Sequence, residues 1–186
     1  KHWIDNFKID GLRWDLTKGF TQNCNTGDED CTNSYQQDRV DILKSYADYS
    51  WSLDEDHYVI FEHLGSDSEE QQWANYRLDE GKGIMMWGRM NEPYTQLAMG
   101  YSSNSNFSRM GHESHGFNGK RLLGYFESHD EERIMYNSTQ LGNSSGSYNI
   151  TDLNTSLERM SAIGAISLTI PGPKIIWHFS DLGMNN

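Results

Sequence analysis

The chain has 186 residues, a formal net charge of −12, six tryptophans and ten tyrosines. That acidity excludes nucleic acid and anionic membrane surfaces as partners, because a polyanion binder needs a basic face. No apolar run approaches the roughly 18 residues of a membrane span, and the length suits one domain with a sizeable core.

The opening KHWIDNF is neither a leader peptide nor a start, so the chain is expected to be a piece of something longer. Phe7–Leu16 is expected to begin as a strand, with Arg13 and Asp15 on one side of it by the two-residue period. Side by side, the guanidinium can hold Asp15 ionised and oriented, which is what a nucleophile needs. Cys24 and Cys31 enclose NTGDED; a loop-closing disulfide and two free thiols both fit that spacing. DEDC at 28–31 lacks the ligand alternation of a calcium loop.

Ser34–Trp51 puts Val40, Leu43, Tyr46, Ala47 and Trp51 at helical spacing, with Ser34 as the N-cap. Tyr58–Phe61 (YVIF) reads as a strand, Glu69–Leu78 as a helix and Gly83–Trp87 (GIMMW) as a third strand. The polar stretches 101–108 and 137–149 read as loops, as does HESH at 112–115, which lacks the HExxH metal spacing. Leu122–Phe126 is a fourth strand. Asp152–Leu168 is a helix with Leu153, Leu157, Met160, Ile163, Gly164 and Ile166 near one face. After the breaker PGP, Lys174–Phe179 is expected to close the series as a fifth strand.

Apolar strands alternating with helices give the fold class α/β, a parallel sheet covered on both sides, doubly wound or a barrel. In α/β barrels the reactive groups stand at the carboxyl ends of strands. Here those ends carry Arg13 and Asp15, then Glu62 and His63, then His129 and Asp130.

In their order these residues resemble the second half of the catalytic barrel of the α-amylase family, glycoside hydrolase family 13. Gly11, Arg13, Asp15 and Lys18 match its fourth-strand stretch, Glu62 in VIFEHLG its fifth, Phe126, His129 and Asp130 its seventh, and PGPKIIW its eighth. The resemblance covers residues 1–186 as strands 4 to 8 of a (β/α)8 TIM barrel. Strands 1 to 3 and the small inserted domain are missing. It implies a retaining hydrolase of α-1,4-glucan, with a glucan transferase or an inactive carbohydrate-binding fragment as alternatives.

By the same resemblance Asp15 is the nucleophile, Glu62 the acid and base, and Asp130 the transition-state stabiliser. Arg13 orients Asp15, and His129, Lys18 and His63 contact substrate. Retaining chemistry sets the two reacting carboxyl groups about 5–5.5 Å apart. The chain departs from the family at Ser128, Gly19 and His178, which touches subsite contacts rather than the reaction class. No metal or other cofactor is assigned to this chain; calcium remains an option for the full-length enzyme, through an asparagine outside it. Expected partners are an α-glucan, with either the missing half-barrel or a second copy covering the open sheet edges. A secreted or periplasmic location is expected.

Overall fold

The computed structural model describes residues 1–185. In chain order the elements are α1 (His2–Phe7), β1 (Gly11–Trp14), α2 (Glu29–Asn33), α3 (Gln37–Leu53), β2 (Tyr58–Phe61), α4 (Asp67–Ala74), β3 (Met85–Arg89), α5 (Asn91–Met99), β4 (Leu122–Tyr125), α6 (Ile134–Leu141) and α7 (Leu153–Thr169). The fold is α/β, with an all-parallel sheet in the order β1-β2-β3-β4. Parallel neighbours need crossovers, which the helices supply.

Two compact units divide the chain. The first holds Lys1–Trp87 and His112–Leu122, the second Gly88–Gly111 and the chain from Leu123 on. In the first, Val40, Leu43, Ala47 and Trp51 of α3 pack with Val59 and Phe61 of β2, Trp73 and Ala74 of α4, and Ile84 and Met86. Val59 and Phe61 alternate with the more exposed Ile60, as a strand between two layers requires. Each such buried side chain contributes about 1.5–3 kcal/mol. The Trp73 indole N–H is not lost in this core, since it donates to the Val40 carbonyl at 3.2 Å. In the second unit Met90, Tyr94, Ala98, Met110, Phe126, Ile134 and Ile163 form a separate cluster.

Several elements differ from the sequence expectation. Phe7 belongs to α1, which Lys8 ends in the left-handed region, and the first strand begins only at Gly11. The ladder with β2 opens at Gly11↔Tyr58, so Phe7–Ile9 have no strand to pair with. Helix α3 starts at Gln37, because Ser34 instead closes α2, its N–H donating to the Cys31 carbonyl at 3.0 Å. Residues 137–141, expected as the start of a loop, belong to helix α6: Ile134 and Met135 are buried, and the Glu127 carboxylate accepts the Ile134 N–H at 2.7 Å, a cap supplied from the strand end. Leu153 and Leu157 of α7 are exposed, and Ile163 carries the burial. The expected fifth strand is reduced to one parallel bridge, Gly124↔Lys174, with Ile175 N–H on the Gly124 carbonyl at 3.0 Å. Beyond it Phe179 turns left-handed, at φ 63°, and the ladder stops.

The glycine that opens β1 has a steric reason. A Cβ on Gly11 would lie 2.7 Å from the Tyr58 Cβ and 2.8 Å from the Tyr58 carbonyl oxygen, atoms that the ladder prevents from moving. Gly19 has nothing within 4 Å of a built Cβ. Gly11→Ala is therefore expected to destabilise by about 1–3 kcal/mol, whereas Gly19→Ala stays within about 0.5 kcal/mol. Urea unfolding of both variants measures the contrast; equal effects would disprove the close-approach explanation.

Candidate active site

The level register of β1 and β2, Trp14 opposite Phe61, carries both strands to the same edge. Glu62 N–H continues the ladder onto the Trp14 carbonyl at 3.0 Å, and Thr17 N–H returns onto the Glu62 carbonyl at 2.9 Å. Between them Leu16 adopts φ 40°, an unusual value for leucine, and turns its N–H to the Glu62 side chain, Oε2 at 3.0 Å. Arg13 points to the same edge over the Trp87 ring, 4.9 Å from its centroid. Its Nη1 donates to Asp15 Oδ1 at 2.5 Å, and its Nη2 lies 2.9 Å from Glu62 Oε1. The second contact is an ion pair without the alignment of a directed hydrogen bond.

One guanidinium thus links two carboxylates that differ sharply in environment. The Asp15 side chain is 76% exposed and that of Glu62 is 7% exposed. An accessible carboxylate beside a shielded one is the arrangement that lets two acids of one type take different tasks.

Lys18 follows on a short 3-10 turn, its ammonium donating to Asn33 Oδ1 at 2.7 Å. Asn33 ends α2, two residues beyond Cys31, whose disulfide to Cys24 closes the preceding loop. Of the two readings of those cysteines, the bonded one holds. The DEDC stretch winds into α2, where Asp28 accepts the Cys31 N–H at 2.9 Å.

His63 is a correction. Expected to contact substrate, it has no exposed side-chain surface, and both of its ring nitrogens are occupied inside the first unit. Nε2 meets Glu69 Oε2 at 2.9 Å and Nδ1 meets the Thr17 hydroxyl at 3.0 Å. With Nε2 donating to the carboxylate, Nδ1 is the acceptor and Thr17 the donor. Glu69 in turn takes two bonds of 2.7 Å from Arg39, Nε to Oε1 and Nη2 to Oε2. The remaining Arg39 donors reach the carbonyls of Lys18, Thr32 and Ser34 at 2.8, 2.9 and 2.8 Å. This buried network pins the segment after β1 to the helices, and it escaped the sequence reading. The signal was Arg39 standing four residues before Leu43 and eight before Ala47, in phase with the buried face of α3.

In the second unit His129 and Asp130 are both exposed, Nε2 to Oδ1 at 3.4 Å. They sit on a turn that Ser128 and Glu131 hold, the Ser128 N–H donating to Glu131 Oε2 at 2.9 Å. Behind it the buried Glu127 binds Arg133 Nη1 at 3.1 Å and the Ser180 hydroxyl. In FESHDEER the acid before His–Asp is therefore structural, and burial alone distinguishes it.

His115, in the HESH segment read as a plain loop, approaches Asp67 and Glu70, their ligand-type atoms within 4.8 Å of one another. His115 Nδ1 pairs with Asp67 Oδ1 at 3.1 Å, and Glu70 accepts the Gly65 N–H at 3.2 Å. A set with an imidazole nitrogen does not suit calcium, which takes oxygen ligands.

No protein-family model matches this sequence, and no curated protein resembles it significantly.

Burial pushes the His63 ring below its ordinary value of 6.5, against the pull of Glu69. Burial pushes the Glu69 carboxyl up, but the bonds and charge of His63 and Arg39 outweigh it and hold the group below 4.5. Both groups bind protons less readily folded than unfolded. Their stabilisation is present above 6.5 for His63 and above 4.5 for Glu69, and is lost as pH falls through the lowered folded values. Melting curves from about pH 7 to pH 5 should slope less in His63→Gln than in the wild type. Arg39→Met, which leaves the buried Glu69 without its charged partner and with only the His63 and Gln36 contacts, is expected to cost about 3–5 kcal/mol. A wild-type-like melting point for that variant would refute the network's role.

Proposed function

We propose that the chain is the carboxyl-terminal half of a (β/α)8 barrel of the α-amylase type, a retaining glycoside hydrolase acting on α-1,4-glucan. The observation that carries this reading is the shared guanidinium of Arg13, with Asp15 and Glu62 at the carboxyl ends of adjacent parallel strands. Barrel enzymes place reacting groups at that edge. The Cys24–Cys31 disulfide favours an oxidising compartment, in keeping with a secreted or periplasmic enzyme.

In this mechanism the exposed Asp15, oriented by Arg13 Nη1, attacks the anomeric carbon of the glucosyl unit. As the C–O bond to the leaving sugar breaks, Glu62 gives its proton to that oxygen, and a glycosyl ester forms on Asp15. Glu62, now a carboxylate steadied by the Leu16 N–H, takes a proton from water. The hydroxide character so developed attacks the anomeric carbon from the opposite face and releases Asp15. Two inversions restore the original configuration. Lys18, braced by Asn33, meets the sugar on the leaving-group side, and Asp130 and His129 are assigned their roles by the resemblance. His63 holds Thr17, whose backbone N–H in turn donates to the Glu62 carbonyl.

The tests use the chain joined to its preceding half-barrel. Asp15→Asn should lower kcat on soluble starch by at least about three orders of magnitude with melting unchanged. The sugar first released should carry the α configuration, read by proton magnetic resonance before mutarotation. A first product of β configuration, or an active Asp15→Asn enzyme, would overturn the assignment.

A further inference from the structure

A further set of ionisable side chains in the first unit converges from separate parts of the chain. Asp67 and Glu70 stand in the first turn of α4, where a three-residue spacing puts them on one helix face. His115 comes from a 3-10 turn, His112–His115, much later in the sequence. One oxygen of each acid and one ring nitrogen lie within 4.8 Å of one another.

His115 is held at the acids by contacts that its ring nitrogens do not make. Gln71 Nε2 donates to the His115 carbonyl at 2.8 Å, and the Asn75 side-chain oxygen accepts the Asn118 N–H at 2.7 Å. Gly116, at φ 72°, permits this close approach, since a Cβ there would lie 2.5 Å from Gln71 Nε2. The His115 ring also packs on Phe117, centroids 5.3 Å apart. Glu70 is buried, and its Oε1 accepts the Gly65 N–H at 3.2 Å.

The spacing of these atoms suits a metal ion. His115 Nδ1 lies 3.1 Å from Asp67 Oδ1. Two ligands of a tetrahedral zinc ion, each about 2.0–2.1 Å from the metal, stand about 3.3 Å apart. An ion can therefore replace the hydrogen shared by Nδ1 and Oδ1, the imidazole binding as the tautomer protonated at Nε2. Each carboxylate oxygen has two lone pairs, so Glu70 can ligate while still accepting the Gly65 N–H. The Asp67 side chain is 35% exposed, which gives an ion its way in. Two carboxylates so close repel each other, and a dication offsets that repulsion. One imidazole nitrogen with two carboxylate oxygens suits zinc and its first-row neighbours, whereas calcium and magnesium take oxygen ligands.

We propose that Asp67, Glu70 and His115 bind one divalent first-row transition ion, zinc in particular, with water completing its coordination. The ion ties the His112–His115 turn to α4 and, through Glu70, to Gly65 in the segment that follows β2. This site is separate from Arg13, Asp15 and Glu62 and does not rest on the glycosidase reading.

Calorimetric titration of the EDTA-treated, dialysed protein with zinc chloride tests the site. One equivalent is expected to bind with a Kd in the micromolar range or below. Glu70→Gln and His115→Gln should each weaken that binding at least about tenfold. His2→Gln, which removes an exposed imidazole elsewhere, should leave it unchanged. Melting curves of the zinc-free variants establish that they fold. Amide hydrogen exchange of the wild type needs no variant: saturating zinc should slow it at residues 112–118. Binding that survives both Gln substitutions, a Kd above a millimolar, tighter binding of calcium at the same residues, or unslowed exchange would each overturn the proposal.

Discussion

Arg39 and Glu69 are opposite charges with no exposed side-chain surface, and their pairing fixes the edge of the first unit at which β1 and β2 end. Neither could be buried alone, since an isolated ion in a protein interior costs several kcal/mol. Together they join the start of α3 to the first turn of α4, and the guanidinium's remaining donors gather three carbonyls between Lys18 and Ser34. The segment after β1 is irregular and would otherwise be free to wander. Its path is set because its carbonyls complete the arginine's hydrogen bonds.

From that anchor the geometry passes outward in short steps. Glu69 holds His63, His63 takes the Thr17 hydroxyl, and Thr17 pairs with the backbone of Glu62. Leu16, forced to a positive φ next to Thr17, delivers its amide to the Glu62 carboxylate. The shielded acid is thus positioned by His63, Thr17 and the Leu16 amide, while Asp15 stands exposed beside Arg13. The two carboxylates differ in exposure, and the protein maintains that difference through burial and a backbone donor.

Legibility followed the range of the interactions involved. Arg13 and Asp15 pair across two residues of one strand, so the period-two rule found them. The apolar runs of β2, β3 and β4 announced a parallel sheet because strands buried on both faces need no polar alternation. Helix α6 did not show itself, since its first turn is capped by Glu127 from a strand end and not by a neighbour in sequence. The strand expected at Lys174–Phe179 has the right composition but only one residue's worth of pairing. His63 looked like a ligand for substrate because it follows Glu62, yet only packing could show that α4 covers it.

By itself the sequence determined the α/β class, the alternation that puts Arg13 beside Asp15, and the positions of the acids at strand ends. These depend on contacts within a few residues, where composition and period are sufficient. Tertiary structure alone decided which acids are shielded, that Glu69 and Glu127 serve architecture, that Cys24 joins Cys31, and that His115 stands beside Asp67 and Glu70. Such outcomes depend on desolvation by groups distant in the chain, and no local pattern encodes which neighbour removes a side chain from water.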